Sequence, residues 1–142
     1  MGRVINTDSS GKRRNQLMRT AAEILRRLSQ KPEIDQEVRD MVAELVFLFR
    51  EIDEGIDSSA AAWEKRDYWM KAEELRQRWG WPGRAAEQLA DIVLNEKWDL
   101  LPPMIVRLLP NFNDIKITKY TRKDSEWEGS HLRLMNEKPT LK

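Results

Sequence analysis

Few residues in this chain have the chemistry for catalysis. His131 is the single histidine, and Glu128 stands three residues before it. A Glu-x-x-His pair is half of a di-iron carboxylate motif; the rest would need a second copy and further carboxylates on facing helices. With no second histidine, the pair reads as an ordinary surface histidine beside an acid. Glu51, Asp53, Glu54 and Asp57 form an acidic run that could meet a divalent cation. A calcium loop starting at Asp53 would close on Glu64. Gly55, Asp57 and Ser59 do not supply the required order of oxygen ligands, however, and Ala60 to Ala62 favour helix. That run reads as a solvated helix end. Gly11-Lys12 looks like the end of a phosphate loop but lacks the upstream glycine and the following hydroxyl residue. No dinucleotide fingerprint or nucleophile elbow occurs. The chain has no cysteine, which removes thiolate catalysis, thiolate zinc sites and disulfides. No catalytic, cofactor or metal site is therefore expected. Carboxylates such as Glu73, Glu87 or Asp91 would do acid–base work only if a pocket between helices gathered two of them.

Two surfaces hold more promise. Lys12, Arg19 and Arg26 recur every seven residues and form a row along one side of a helix, flanked by Arg13 and Arg27. At 1.5 Å rise per residue the row would span about 21 Å, comparable to several successive phosphates. It could meet nucleic acid without sequence preference or an acidic protein partner, with Arg3 reaching further. The competing reading is a solvated face paired with an acidic neighbour: residues 1–31 hold eight Lys/Arg and two Asp/Glu, and residues 32–57 hold two and nine. Asp40 and Glu44 are the acids expected to occupy Arg19 and Arg26 in that case. The other surface is aromatic. Of six tryptophans, Trp69 and Trp79 fall with Tyr68, Ala72 and Leu75 on the expected inner side of one helix. Trp63 and Met70 point away from it. They are either covered by the C-terminal segment or form an apolar patch for a partner.

The elements that position these residues follow from periodicity. With 142 residues and a net charge of +1, the chain suits one domain. Residues 1–11 read as a flexible arm. Helical spacing predicts a first helix over 12–30, with Leu17, Ala21, Ile24, Leu25 and Leu28 inward. A second spans 34–53, carries the broadest apolar arc and should be the most buried; Gly55 ends it. Asp57-Ser58-Ser59 would cap a third helix running to Trp79. Gly80 and Pro82 punctuate the start of a fourth, to about Glu96. Asp99 would cap a short fifth over 101–109. Ile115, Ile117 and Thr118-Lys119-Tyr120 suggest an extended segment or a short strand, lying along the bundle or pairing between subunits. Residues 124–135 suggest a last helical turn or two, and 136–142 a frayed end. The expected fold is all-α: an antiparallel bundle of four principal helices plus a short fifth over 12–110, with an irregular C-terminal extension over 111–142 packing on it.

Residues 5–17, Ile5-Asn6-Thr7-Asp8-Ser9-Ser10-Gly11-Lys12-Arg13-Arg14-Asn15-Gln16-Leu17, and the stretch from Ser59 to Trp69 resemble an uncharacterised group of bacterial helical proteins. The resemblance brings no activity, ligand or site residue. No apolar run approaches the roughly 20 residues that span a bilayer, and the N-terminus lacks a signal-peptide pattern, so no membrane role and a cytoplasmic location are expected. The functional expectation is a non-catalytic interaction protein (adaptor, regulator or assembly subunit) with a protein partner or a second copy of itself. Helix 1 of one copy could meet helix 2 of another. The alternative is nucleic-acid binding through helix 1.

Overall fold

The computed structural model describes residues 7–138 and is an all-α bundle built around one long helix. Helix α1 spans Thr7–Ser29, α2 Gln36–Lys65, α3 Trp69–Arg78, α4 Trp81–Leu94, α5 Leu101–Leu108 and α6 Ser130–Met135. Short 3-10 turns cover Trp98–Leu100, Leu109–Phe112 and Asp124–Glu126. Helix α2 touches α1, α3, α4 and α6. Its residues Met41, Val42, Leu45, Val46 and Phe49 are fully buried, as the broad apolar arc requires. Arg13 near the start of α1 pairs with Glu51 late in α2, while Lys31 after α1 pairs with Glu37 early in α2. The two helices therefore run antiparallel. Asp35 accepts a hydrogen bond from the Val38 N–H at 2.9 Å and caps α2.

Several boundaries differ from the sequence reading. Residues 7–11 are already helical, which shortens the expected arm; residues 1–6, Arg3 among them, lie outside the described residues. The larger difference is at Gly55, which does not end α2. The helix continues to Lys65 because Ile52, Ile56 and Ala60 keep the buried four-residue spacing across the glycine. Chain reversal occurs instead at Asp67, in the left-handed region at φ 64°. A Cβ added at Gly55 meets nothing within 4 Å. Gly55→Ala is therefore expected to stabilise the protein by about 0.5–1 kcal/mol, the ordinary helical gain of alanine over glycine. A thermal melt showing destabilisation would mean that residue 55 needs a conformation that alanine resists.

Helix α4 starts as expected, with Pro82 in its first turn. Gly80 is not left-handed; a side chain there would press on the Arg76 carbonyl at 3.2 Å. The expected Asp99 cap on α5 is replaced by the Trp98–Leu100 turn, and Leu100 stands at the cap position without a side-chain bond. Phe49, Trp81 and Phe112 meet edge to face or tilted, at 5.3–6.3 Å between ring centres, and join α2, α4 and the Leu109–Phe112 turn. Among the described residues there is no strand, and no helix is long and apolar enough to cross a membrane.

Candidate functional site

Most of the basic row of α1 is engaged within the fold, although Lys12, Arg13 and Arg26 remain exposed. Residues 115–123 run along it as an irregular strap with a bend at Thr118-Lys119; among the described residues the short strand considered for this segment does not form. The arginines supply the donors that a sheet neighbour would otherwise give. Arg19 donates to the Lys119 carbonyl at 3.2 Å, Arg26 to the Ile117 carbonyl, and Arg27 to the Arg122 carbonyl at 3.2 Å. The Arg27 guanidinium also lies between the Tyr120 ring at 4.1 Å and the Trp127 ring at 5.1 Å. Such stacking favours a partly desolvated cation. Arg13 forks onto Glu51 at 2.6 and 3.0 Å. Of the five cations singled out in the sequence, Lys12 alone has no hydrogen-bond or ion-pair partner among the described residues. Asp40 and Glu44 do not occupy the row. Asp40 accepts the His131 N–H at 3.0 Å and Glu44 accepts the Ser130 hydroxyl at 2.7 Å, so both acids hold the start of α6.

The strap is fastened at Glu23, which sequence inspection overlooked. Its side chain is fully buried. It accepts the Thr121 N–H at 2.8 Å, the Thr121 hydroxyl at 2.6 Å, the Arg122 N–H at 2.9 Å and Arg19 Nε at 3.1 Å. Burial alone would push the carboxyl pKa up. The hydrogen bonds to its charged form outweigh that and hold it at about 2. A signal was available, since Glu23 is the one acid within the basic row and stands four residues after Arg19.

Beside the strap a polar cleft of about 440 Å³ opens between α1, α2 and the C-terminal segment. Glu44 lies in its wall, with Arg13, Arg122 and Arg133 among its neighbours. Burial raises the Glu44 pKa, and the Ser130 hydrogen bond opposes the rise. The carboxylates considered for acid–base work sit elsewhere. Glu87 and Asp91 share a groove between α2 and α4 with Asp53, whereas Glu73 is exposed on α3 and bonds Gln77. Asp91 is held below the usual carboxylate range by Lys97 and Asn95. Asp53 is raised by burial and by Asp57, Glu54 and Glu87. Among the described residues no cluster of His, Asp and Glu has a geometry suited to a metal ion. His131 instead sits 3.4 Å from the Gln36 amide.

The aromatic surface is arranged differently from the expectation. Tyr68 and Trp69 do not face inward. They are 51% and 60% exposed, and Met70 is 78% exposed. The left-handed turn at Asp67 resets the register of α3, whose only fully buried residue is Ala72. Trp63 is half-buried, and among the described residues its covering contacts are Tyr68, edge to face at 5.6 Å, and the Lys71 ammonium at 4.8 Å, not the C-terminal segment. In place of the patch expected from Trp63 and Met70, the corner exposes Tyr68, Trp69 and Met70, with Tyr68 packed on Trp63. Comparison with known proteins returns no matching family model, no matching curated protein and no matching solved structure.

Proposed function

We propose that the protein is a non-catalytic interaction module (an adaptor, regulator or assembly subunit) that engages a protein partner through the corner between α2 and α3. The observation that carries this reading is the run Tyr68-Trp69-Met70, three large apolar side chains in sequence that are each more than half exposed. Such side chains gain about 25 cal/mol per Å² of apolar area when covered, and tryptophan and tyrosine are the residues on which interface energy concentrates. The base of the corner is firm: Arg76 of α3 forks onto Glu64 of α2, with one contact at 3.2 Å. A second copy of the chain is one form of such a partner, and the proposal keeps the cytoplasmic setting read from the sequence.

The nucleic-acid reading of α1 has less support, because Arg19, Arg26 and Arg27 already serve the strap carbonyls. Reversing Arg19 and Arg26 to Glu would unfasten the strap as well as change surface charge.

The corner is tested by Trp69→Ser combined with Met70→Ser. Neither side chain is in the core, so circular dichroism and melting should change little. Self-association seen by light scattering, or capture of a protein from native lysate, should fall at least tenfold. Association unchanged in the double variant would contradict the proposal. So would a wild-type protein that stays monomeric and captures nothing.

A further inference from the structure

Helices α2 and α4 leave a groove of about 430 Å³ between them. Small residues make its floor: Gly83, Ala86 and Ala90 follow one another at helical spacing along α4. A Cβ at Gly83 would stand 2.9 Å from the Asp53 carboxylate, so the glycine leaves room for that acid. Acids make the walls. Asp91 is paired with Lys97, and Arg50 is paired with Glu137. Asp53, Glu54 and Glu87 have no cation within ion-pair distance among the described residues, and Glu54 and Glu87 are exposed. Burial, and after it the like charges of Asp57, Glu54 and Glu87, hold the Asp53 pKa above the usual carboxylate range. The groove thus joins an apolar floor to walls short of positive charge.

The corner between α2 and α3 has the opposite character. Lys65, Arg66 and Lys71 surround the exposed Tyr68, Trp69 and Met70, with Asp67 as the one acid in the run 65–71. Lys65 and Arg66 have no carboxylate within ion-pair distance among the described residues, and Lys71 lies over the Trp63 and Tyr68 rings. Helix α2 is continuous from Asp53 to Lys65, a distance of about 18 Å at 1.5 Å per residue. That length of helix keeps the corner out of its own groove but leaves it free to enter another.

Taking the corner as the docking surface proposed above, on which this contact rests, we infer that it docks in the α2–α4 groove of a second copy of the chain. Trp69 and Met70 lie over Gly83, Ala86 and Ala90, and Lys65 and Arg66 face Asp53, Glu54 and Glu87. Burial of the aromatic side chain supplies the attraction, and the opposite charges set orientation and speed encounter. The contact is heterologous. Each pair of docked copies still presents one free corner and one free groove, so copies add head to tail until a ring closes or a filament grows.

Sedimentation and light scattering over a range of concentrations at low salt read this assembly. The mean mass of the wild type should rise with concentration, and added salt should reverse the rise. Two variants break opposite halves of the contact: Trp69→Ser with Met70→Ser removes the corner, and Glu54→Lys with Glu87→Lys reverses the groove. All four positions are exposed, and circular dichroism checks their folding. Glu87→Lys alone replaces the groove variant if the double change unfolds it. Each variant by itself should associate at least tenfold more weakly than wild type. An equimolar mixture of the two should form a one-to-one complex and nothing larger, because one copy supplies the intact groove and the other the intact corner. A mixture that stays monomeric overturns the inference. Wild-type association in the groove variant, beside a corner variant that has lost it, also overturns the inference and leaves the corner reading standing. A wild type that stays monomeric while its corner captures a foreign protein does the same. Unchanged association in the corner variant removes both readings.

Discussion

Glu23→Gln is expected to release the strap and cost about 3 kcal/mol, the scale of breaking a buried, hydrogen-bonded charge. The amide oxygen can keep the Thr121 and Arg122 N–H groups, which share one carboxylate oxygen, but its NH2 then replaces the oxygen that accepts Arg19 Nε–H and sets donor against donor. Arg19 loses its buried partner as well. Urea denaturation at neutral pH measures the cost. The pH dependence gives an independent figure. The Glu23 carboxyl titrates at about 2 in the folded protein, against an ordinary value of 4.5. Its stabilisation is therefore fully present above 4.5 and is lost as pH falls toward 2, and it amounts to about 3 kcal/mol. Glu44 and Asp53 have raised pKa values and work in the opposite direction. The difference between wild type and Glu23→Gln isolates the Glu23 contribution and should narrow steadily between pH 4.5 and 2. A difference that stays constant across that range would mean that the carboxylate is not the fastening group.

Phe49→Ala should be at least as damaging, at about 3–5 kcal/mol. Phe49 is fully buried in the middle of α2. Its ring meets Trp81 of α4 edge to face and Phe112 at a tilt, so its loss opens a cavity where three elements join. Aromatic pairs of this geometry add to the area term. The near-ultraviolet dichroism of Trp81 should weaken together with stability. Leu45→Ala, equally buried on the same helix but outside the aromatic junction, should cost about 2–5 kcal/mol without that optical change. A loss below about 1 kcal/mol at either position would place the core on another face of α2.

Periodicity made most of the bundle legible. Leu17, Ala21, Ile24, Leu25 and Leu28 are all buried on α1, as are Ala85, Ala86, Leu89, Ile92 and Val93 on α4. The misreadings have local causes. Gly55 and Asp57-Ser58-Ser59 carry helix-stop and helix-start chemistry, yet tertiary burial of Ile56 and Ala60 overrode both. The reversal at Asp67 rests on a single left-handed residue without glycine, for which sequence offers no strong cue. Register of α3 depends on that turn, so Tyr68 and Trp69 were assigned to the wrong side. Lys12, Arg19 and Arg26 are visible as a row flanked by Arg27, but the acceptors of the three arginines lie 91 to 100 residues away in the strap. Backbone carbonyls carry no side-chain signal, so residues 117, 119 and 122 could not be read as their acceptors.

Whether the arginine row serves the fold or faces a ligand decides where recognition takes place, and amide hydrogen exchange of the wild-type protein at neutral pH addresses it directly. If the strap is fastened as described, the Thr121 and Arg122 amides, both donating to the buried Glu23 carboxylate, should exchange slowly, with protection approaching that of the α2 core. Exchange at the rate of an unstructured chain would contradict the account and return Arg19, Arg26 and Arg27 to solvent as a binding face.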